Sequence, residues 1–508
     1  MKRLFILILN FTPLLATAQK QYPADVEAVL QQTKTNRGEL EKALQYFYNT
    51  KDQQKIKAIN FLVSNMDIHA SETYYWSDSS GNKIPFDELK YPDFSSSIKS
   101  FDSLKREYIK IHPVPQHIPD IDTIKANFLI DNTEKAFTAW KTSQLKNTSF
   151  ENFCEYILPY RISVEPLQSW RASYNSKYTF ILDSAKNKPF DSTLKYIIAD
   201  INRWFTCTYN LEERKEPLPR LGALQLLMRK KGLCEDVADL SVFSLRSIGI
   251  PATVDNVPYW ATSTGGHFLN TAFNNQNKSV PFDVLLKSDS LNEFIREPAK
   301  VLRTTFSKQK NTLASIMAPD SIPAGMLRTQ NYIDVTDQYW KTKDLTCPLV
   351  KIKTQPKIVY ACVLNGSKWR PVWWAKADSN NTLFTNLCMG AVYLPMYYKN
   401  GKLGAAGYPV ALGNNKTVVL QPDTINTHSI TIKELENYLL FRPNKKYRLL
   451  YWKKTNWEII GQQTTDQTTK ELVFENVPKN ALLLLIPEFS KHKERPFIIT
   501  DEGQRLWW

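Results

Sequence analysis

Residues 231–286 read KGLCEDVADLSVFSLRSIGIPATVDNVPYWATSTGGHFLNTAFNNQNKSVPFDVLL. After Cys234, apolar residues cover almost every face of the helical period, which predicts a helix buried at the centre of a domain. Gly249, Ile250 and Pro251 supply the left-handed position, the hydrophobic contact and the stop that are expected just past a helix end. This stretch therefore predicts a buried helix that begins at a cysteine.

A cysteine at the start of a helix suits nucleophilic chemistry. The helix dipole and the first-turn N–H groups favour the thiolate form of a cysteine and can hold an oxyanion. Glu235 and Asp236 oppose this effect with negative charge, and both also fit as ordinary first-turn helix residues. Taken alone, Cys234 has a structural alternative as a buried thiol.

Two strand-sized segments follow the helix, HFLNTAF and SVPFDVLL. A turn centred at Asn275 places His267 directly opposite Asp283, where paired Cβ atoms lie about 4.5–5.5 Å apart. The carboxylate would fix the imidazole tautomer and leave the other ring nitrogen to take the cysteine proton. A slip of one residue would put the two side chains on opposite faces. The sequence predicts Cys234, His267 and Asp283 as the catalytic residues.

The same stretch resembles the transglutaminase-like superfamily, whose members share a papain-like α+β core. The residues that carry the resemblance are Gly232-x-Cys234-x-Asp236, Leu245-Arg246-x-x-Gly249-Ile250-Pro251-Ala252, Gly266-His267-Phe268-x-Asn270 and Phe282-Asp283. The resemblance covers about Phe150 to Val301. It implies that Cys234 is the nucleophile, His267 the base and Asp283 the orienting acid.

The sequence departs from the family pattern at two points. Phe268-Leu269 stands where the family often has Ala-Trp. The second oxyanion donor of the family is commonly a tryptophan or glutamine upstream of the cysteine, and Trp204 and Gln225 are both candidates. Both departures leave catalytic competence open.

The N-terminus has the features of a signal peptide at residues 1–18. Lys2 and Arg3 precede a short apolar segment, and Ala16-Thr17-Ala18 forms a small-x-small cleavage site. No later apolar run approaches the roughly 20 residues that a membrane helix needs. The sequence predicts an exported protein, periplasmic or at the cell surface, without a transmembrane segment after cleavage.

The composition narrows the classes of partner and cofactor. The net charge of +15 would suit nucleic acid or an anionic envelope polymer, but the lysines are scattered and no nucleic-acid-binding motif accompanies them. The six cysteines lack the spacing of a zinc site or a disulfide-dense scaffold. We predict no nucleic-acid partner, no metal and no cofactor, and buried reduced cysteines with one disulfide at most.

A chain of 508 residues exceeds one hydrophobic core. Apolar spacing of three and four residues predicts a helical N-terminal region at 19–149, interrupted by a loop near 74–94. The transglutaminase-like α+β core follows at 150–310. Alternating patterns then predict two small antiparallel β-sandwich-like modules, at 320–425 and 426–508. The fold class is multidomain α+β.

The two modules are predicted to be a tandem duplication. Trp369 aligns with Trp457 at an offset of 88 residues, and Phe384 with Phe474 at an offset of 90. The many tryptophans of this region have two interpretations. They would form the cores of small β-domains, or they would stack on a cell-envelope glycan.

The resemblance implies a cysteine enzyme that acts on peptide or glutamine amide bonds through an acyl-enzyme, with hydrolysis favoured over cross-linking. A peptide or protein is then the substrate. The signal peptide, helical region and paired β-modules resemble exported transglutaminase-like proteins common in Bacteroidetes. The alternative is a catalytically inactive scaffold of the cell envelope that keeps the papain-like core as a platform, its β-modules binding glycan or protein.

Overall fold

The computed structural model describes residues 22–507 apart from 109, 209–219, 287–289, 351–355, 379, 437 and 501–502. The predicted signal peptide at 1–18 lies outside the described residues. The protein is mixed α+β, with a mainly helical N-terminal half, an α+β core and an all-β C-terminal region. Of the helices in the described part of the chain, none is both long enough and apolar enough to cross a membrane.

The N-terminal helices are α1 (Ala24–Leu30), α2 (Arg37–Thr50), α3 (Gln53–Ser64), α4 (Phe94–Glu107), α5 (Asp120–Thr123), α6 (Ala126–Thr142) and α7 (Phe150–Tyr156). All of these except α4 contribute side chains to one apolar core. Leu44, Leu62 and Leu129 are fully buried in this core, as the three- and four-residue spacing predicts. Phe153 of α7 belongs to the same core, so packing continues past residue 150. The domain boundary at 149/150 stays a prediction.

A three-stranded antiparallel sheet interrupts these helices where we predicted helices and a loop. Its strands are β1 (Ala70–Ser77), β2 (Lys83–Ile84) and β3 (His112–Pro119), in the order β2-β1-β3. The prolines of β3 concealed it, because proline is rare within strands. Pro113, Pro115 and Pro119 all have odd numbers, so their missing N–H groups fall on the outer edge of an edge strand.

The core surrounds one helix with a sheet and three other helices. The helices are α8 (Arg171–Ser184), α9 (Phe190–Trp204), α10 (Ala223–Arg229) and α11 (Cys234–Ser247). The strands are β4 (Thr206–Cys207), β5 (Lys231–Gly232), β6 (Ala252–Val257), β7 (His267–Phe273), β8 (Ser279–Phe282), β9 (Leu302–Thr304) and β10 (Tyr332–Asp334). Helix α11 contacts β6 and β7 of the antiparallel sheet β10-β9-β6-β7-β8, together with α8, α9 and α10. This sheet extends beyond residue 310, where the sequence ended the core, because β10 is its outer strand.

The C-terminal region consists of antiparallel strands. They are β11 (Thr342–Pro348), β12 (Ile358–Asn365), β13 (Lys368–Asp378), β14 (Asn381–Cys388), β15 (Ala391–Lys399), β16 (Lys402–Ala405), β17 (Val410–Leu412), β18 (Thr417–Val419), β19 (Asp423–Lys433), β20 (Lys446–Trp452), β21 (Trp457–Thr464), β22 (Glu471–Lys479), β23 (Leu483–Pro487), β24 (Phe497–Ile499) and β25 (Arg505–Trp507). Strands β11–β18 form one large sheet, β19 pairs with β22, and β20, β21, β23, β24 and β25 form a third sheet.

The same pairing pattern occurs twice in this region. In β11–β15, which we call repeat one, β11 pairs with β14 and β12 pairs with both β13 and β15. In β19–β23, which we call repeat two, β19 pairs with β22 and β20 pairs with both β21 and β23. Asn386 and Asn476, 90 residues apart, both adopt φ of 56°. The described strands thus repeat as the sequence offsets predict, while the module boundaries at 320–425 and 426–508 stay predictions.

Candidate active site

Helix α11 presents Cys234 at its first position. The carboxylate of Asp236 accepts the N–H of Leu233 at 2.9 Å and that of Leu221 at 3.1 Å. Asp236 therefore caps its own helix and holds the segment before α10. This agrees with the structural role that the sequence predicts for a first-turn carboxylate. A Cβ at Gly232 would come within 2.6 Å of the Asp236 Cβ, which explains the glycine two residues before the cysteine.

The end of α11 matches the prediction from its stop signals. Gly249 has φ of +75°, and the N–H of Ile250 donates to the Leu245 carbonyl at 3.0 Å. Every residue from Val237 to Ser247 is buried, including Asp239. The helix is thus fixed along its length, and Cys234 at its exposed start is partly accessible.

His267 and Asp283 meet, but not by the predicted register. Asn270 pairs with Phe282, and Phe273 pairs with Ser279, so the hairpin is centred at residue 276 and not at Asn275. This register differs by two from the predicted one, and His267 and Asp283 are diagonal instead of directly opposed. A shift of two residues keeps both side chains on one face of the hairpin. Nε2 of His267 lies 2.6 Å from Oδ2 of Asp283.

Backbone contacts hold the Asp283 carboxylate in place. Its Oδ1 accepts the N–H of Leu285 at 2.9 Å, and its own N–H donates to the Leu291 carbonyl at 2.8 Å. One carboxylate oxygen is thus fixed by the chain, while the other faces the imidazole. Because Nε2 of His267 is bound to Asp283, Nδ1 is left for the cysteine.

The environment of His267 stabilises its protonated form. Burial lowers its pKa, but hydrogen bonds to Asp283 and then to Cys234, with their charges, outweigh burial and raise the pKa to about 9. The imidazole thus contacts the carboxylate and the thiol together. The structure brings the three predicted site residues into one cluster, with His267 in the middle.

Neither sequence candidate for the second oxyanion donor points to this cluster. Nε1 of Trp204 donates to Asp200 on its own helix at 3.0 Å. The side chain of Gln225 accepts the N–H of Gly222 at 2.8 Å and donates to Glu88. The first-turn N–H groups of α11 remain the predicted oxyanion donors.

Trp260 is a site residue that sequence reasoning did not identify. Its ring lies 6.2 Å from the His267 ring at an interplanar angle of 20°, and Phe294 packs on it edge-on at 5.4 Å. The indole therefore lies nearly parallel to the imidazole and forms part of its surroundings. The available signal was an aromatic pair, Tyr259-Trp260, in the loop that leads into the histidine.

A cavity of about 300 Å³ opens beside Cys234. Its walls come from the end of β6, from Phe268 of β7, from residues 323–327 and from Pro371 and Val372 of β13. Two of these walls lie 89 or more residues beyond Cys234 in sequence, so local patterns did not predict them. A ligand in this cavity would lie against the thiol.

Of the six described cysteines, Cys234 and Cys207 are the two that are not buried. Cys154, Cys347, Cys362 and Cys388 are buried, and burial raises the pKa of each thiol. Among the described residues, no group of three or more histidine, cysteine or carboxylate side chains could hold a metal ion. The absence of a metal or cofactor stays a prediction from the sequence.

Comparison with known proteins identifies one segment of the chain. No curated protein matches the sequence. The model of the transglutaminase-like superfamily matches residues 184–284, about a fifth of the chain. The matched segment contains α9, α10, α11, β6, β7 and β8, and with them Cys234, His267 and Asp283. Residues 184–284 are therefore a domain of the transglutaminase-like superfamily.

Proposed function

We propose that this protein is a cysteine enzyme that transfers acyl groups from peptide or glutamine amides, and that water is its usual acceptor. The observation that carries the proposal is the position of His267, which contacts Asp283 on one side and Cys234 on the other. The cavity beside Cys234 supports it, because the thiol has space for a substrate. The matched domain is consistent with a cysteine amidase or protease.

The geometry suggests one division of roles. The Cys234 sulfur attacks the amide carbonyl carbon, and the first-turn N–H groups of α11 stabilise the oxyanion. Protonated His267 gives its proton to the leaving amine as the C–N bond breaks, which leaves a thioester on Cys234. His267 then takes a proton from water, whose oxygen attacks the thioester carbonyl carbon. The C–S bond breaks, which releases the carboxylic acid and restores the Cys234 thiolate beside protonated His267. Asp283 holds the ring and stabilises its charge throughout.

Paired alkylating agents test the contact between the thiol and the imidazolium. Protonated His267 should attract anionic iodoacetate more than neutral iodoacetamide. We therefore expect the ratio of the two rate constants at Cys234 to be high at neutral pH and to fall as pH rises through about 9. Asp283→Asn should move this fall to lower pH, and His267→Gln should remove it.

The controls separate this site from the other thiols. Mass spectrometry assigns the label, and Cys207→Ser removes the other thiol that is not buried. Hydrolysis of a peptide library should disappear in Cys234→Ala and persist in Cys207→Ser. If Cys234 reacts no faster than free cysteine, with no preference for iodoacetate, the inactive-scaffold alternative replaces the enzyme proposal.

Location and further partners are part of the proposal. We place the protein outside the cytoplasm, in the periplasm or at the cell surface, because residues 1–18 have the composition of a signal peptide. A peptide or protein is the proposed substrate. Binding of a cell-envelope glycan by residues 320–508 stays a prediction, which a glycan array with the full chain tests.

A further inference from the structure

Three carboxylate side chains follow Cys234 on helix α11. Glu235 and Asp236 come directly after it, and Asp239 lies on the next turn with a fully buried side chain. Negative charges close to a thiol oppose its ionisation. These carboxylates therefore act against the helix dipole, and a thiolate at this position depends on positive charge nearby.

Arg220 supplies a positive charge on the acidic side of the helix. Its Nη1 lies 3.3 Å from Oδ2 of Asp239, and its side chain is 9% exposed. Burial lowers the pKa of the Arg220 guanidinium, but the charges of Asp239, Glu235, Asp236 and Glu165 outweigh burial and raise this pKa. The guanidinium is therefore charged, and it faces the three carboxylates of α11 together with that of Glu165.

The same guanidinium also contacts the strand that carries His267. Its Cζ lies 4.4 Å from the centroid of the Phe268 ring, which makes a cation–π contact. Phe268 follows His267 in β7, and it lines the cavity together with Cys234 and Glu235. Arg220 thus lies between the helix of the proposed nucleophile and the strand of the proposed base.

We propose that Arg220 is a positioning residue of this site, which holds the start of α11 against β7 and offsets the carboxylates next to Cys234. This inference rests on the proposed function, because it concerns the thiolate that attacks the amide. It also explains how a helix start with Glu235 and Asp236 can carry a nucleophile. Without the Arg220 charge, the carboxylates would repel an anion that approaches the sulfur.

Alkylation of Cys234 by iodoacetate and iodoacetamide, with the label assigned by mass spectrometry, tests this inference. A misplaced thiol slows both reagents alike, whereas a changed local charge alters the ratio of their rate constants. At pH 7 we expect Arg220→Gln to lower the iodoacetate to iodoacetamide ratio about fivefold, and Arg220→Lys, which keeps the charge, to stay within about twofold of the wild type. Arg203→Gln removes an exposed positive charge of α9 and should leave the ratio as it is.

A second background provides for a variant that does not fold. Arg220→Gln leaves the buried Asp239 carboxylate without its cation, so urea unfolding checks the fold of each variant. In Asp239→Asn no buried carboxylate loses a partner. Adding Arg220→Gln to Asp239→Asn should again lower the ratio about fivefold.

The outcomes separate the two proposals. An unchanged ratio in folded Arg220→Gln, an equal fall in Arg220→Lys, or an equal fall in Arg203→Gln would each overturn the inference. An ordinary thiol also reacts with both reagents, so the ratio is measurable even at a slow Cys234. A fall of the ratio at a thiol without enhanced reactivity would reject only the enzyme proposal, and an unchanged ratio at a fast-reacting thiol would reject only the role of Arg220.

Discussion

Repeat one and repeat two share three strand pairings but have different neighbours, and among the described strands only in repeat one do the third and fourth, β13 and β14, also pair. The core of repeat one includes Ala261 and Ala299, which belong to segments next to the candidate site. Among the described residues, the main buried cluster of repeat two runs from Ile430 to Phe497 and includes no residue of the segments next to the site. Repeat one also contributes Pro371 and Val372 to the cavity beside Cys234. One β-unit thus forms part of the site, and its copy forms a core of its own.

The hairpin β12–β13 of repeat one corresponds to the hairpin β20–β21 of repeat two, and the two show how this difference arises. Leu364 pairs with Trp369 in the first hairpin, and Trp452 pairs with Trp457 in the second. Asn365, which follows Leu364, therefore corresponds to Lys453, which follows Trp452. Asn365 is 5% exposed, and its amide bonds to the carbonyls of residues 260, 263 and 265 and to the N–H of residue 265. Lys453 has a half-exposed side chain and pairs with Glu458 of its own repeat.

A matched pair of core truncations has the largest expected effect. Phe384 and Phe474 occupy corresponding strands, at 0% and 3% exposure. Each Phe→Ala variant should lose about 3–5 kcal/mol of unfolding free energy, measured by urea denaturation. Only Phe384→Ala should also slow alkylation of Cys234, because its cluster contains Ala261 from the loop before His267. If both variants slow the alkylation of Cys234 equally, repeat one has no closer connection to the site than repeat two.

The second-largest expected effect is a change of stability with pH, and it comes from a buried lysine next to repeat one. Lys300 is fully buried, contacts Asp334 and donates to the carbonyls of Thr385 and Asn386 in repeat one. Burial lowers the pKa of Lys300 to about 8, because it outweighs the attraction of the Asp334 carboxylate. Between pH 8 and about 10.4, the folded protein has released this proton and the unfolded chain holds it. This group's contribution to the free energy of unfolding therefore rises with pH, by up to about 3 kcal/mol.

Urea unfolding of the wild-type protein and Lys300→Met at pH 7.5 and pH 10 measures this effect. The wild-type protein should gain stability relative to the variant at the higher pH. Lys479→Met, at an exposed lysine of repeat two, controls for the loss of one positive charge. If the free energies of unfolding of the wild-type protein and Lys300→Met change equally between the two pH values, Lys300 does not have the lowered pKa, and this difference between the repeats is rejected.

The smallest expected effect concerns the hairpin. Asn365→Ala removes the amide that holds the loop before His267 and should cost about 1–3 kcal/mol of stability. A misplaced loop should also lower the rate of Cys234 alkylation about tenfold. Lys453→Ala should change stability by less than about 0.5 kcal/mol and leave the alkylation rate as it is. The idea that Asn365 connects repeat one to the site fails if the two variants alkylate equally fast.

The tryptophans of both repeats meet in a shared core. Trp369 packs edge-on against Trp452, and Trp452 against Trp457, each at a centroid distance of 5.4 Å. Both β11–β18 and repeat two contribute residues to this cluster. The contacts between the repeats thus use the side chains that the sequence also offered as sugar-binding residues, and these three rings are packed on one another.

Local patterns predicted the helix of the site well and the sheet near it less well. Cys234 and Gly249 mark the two ends of α11 because capping depends on residues within one turn of a helix end. The hairpin register was wrong by two residues, because the turn extends from Asn274 to Lys278 around the left-handed Asn277. The missed sheet β1–β3 pairs strands about 40 residues apart, a separation that periodicity does not resolve.

The sequence by itself determined the α+β class, the central helix and the order of Cys234, His267 and Asp283, because periodicity, capping and turn residues act over a few positions. Only the tertiary structure decided which nitrogen of His267 faces Asp283, and that the Trp260 ring lies near the imidazole. It also decided that segments from repeat one close the cavity beside Cys234. Some of these features depend on contacts between residues more than 100 positions apart. Such contacts arise from the packing of the folded chain and not from any local preference of the sequence.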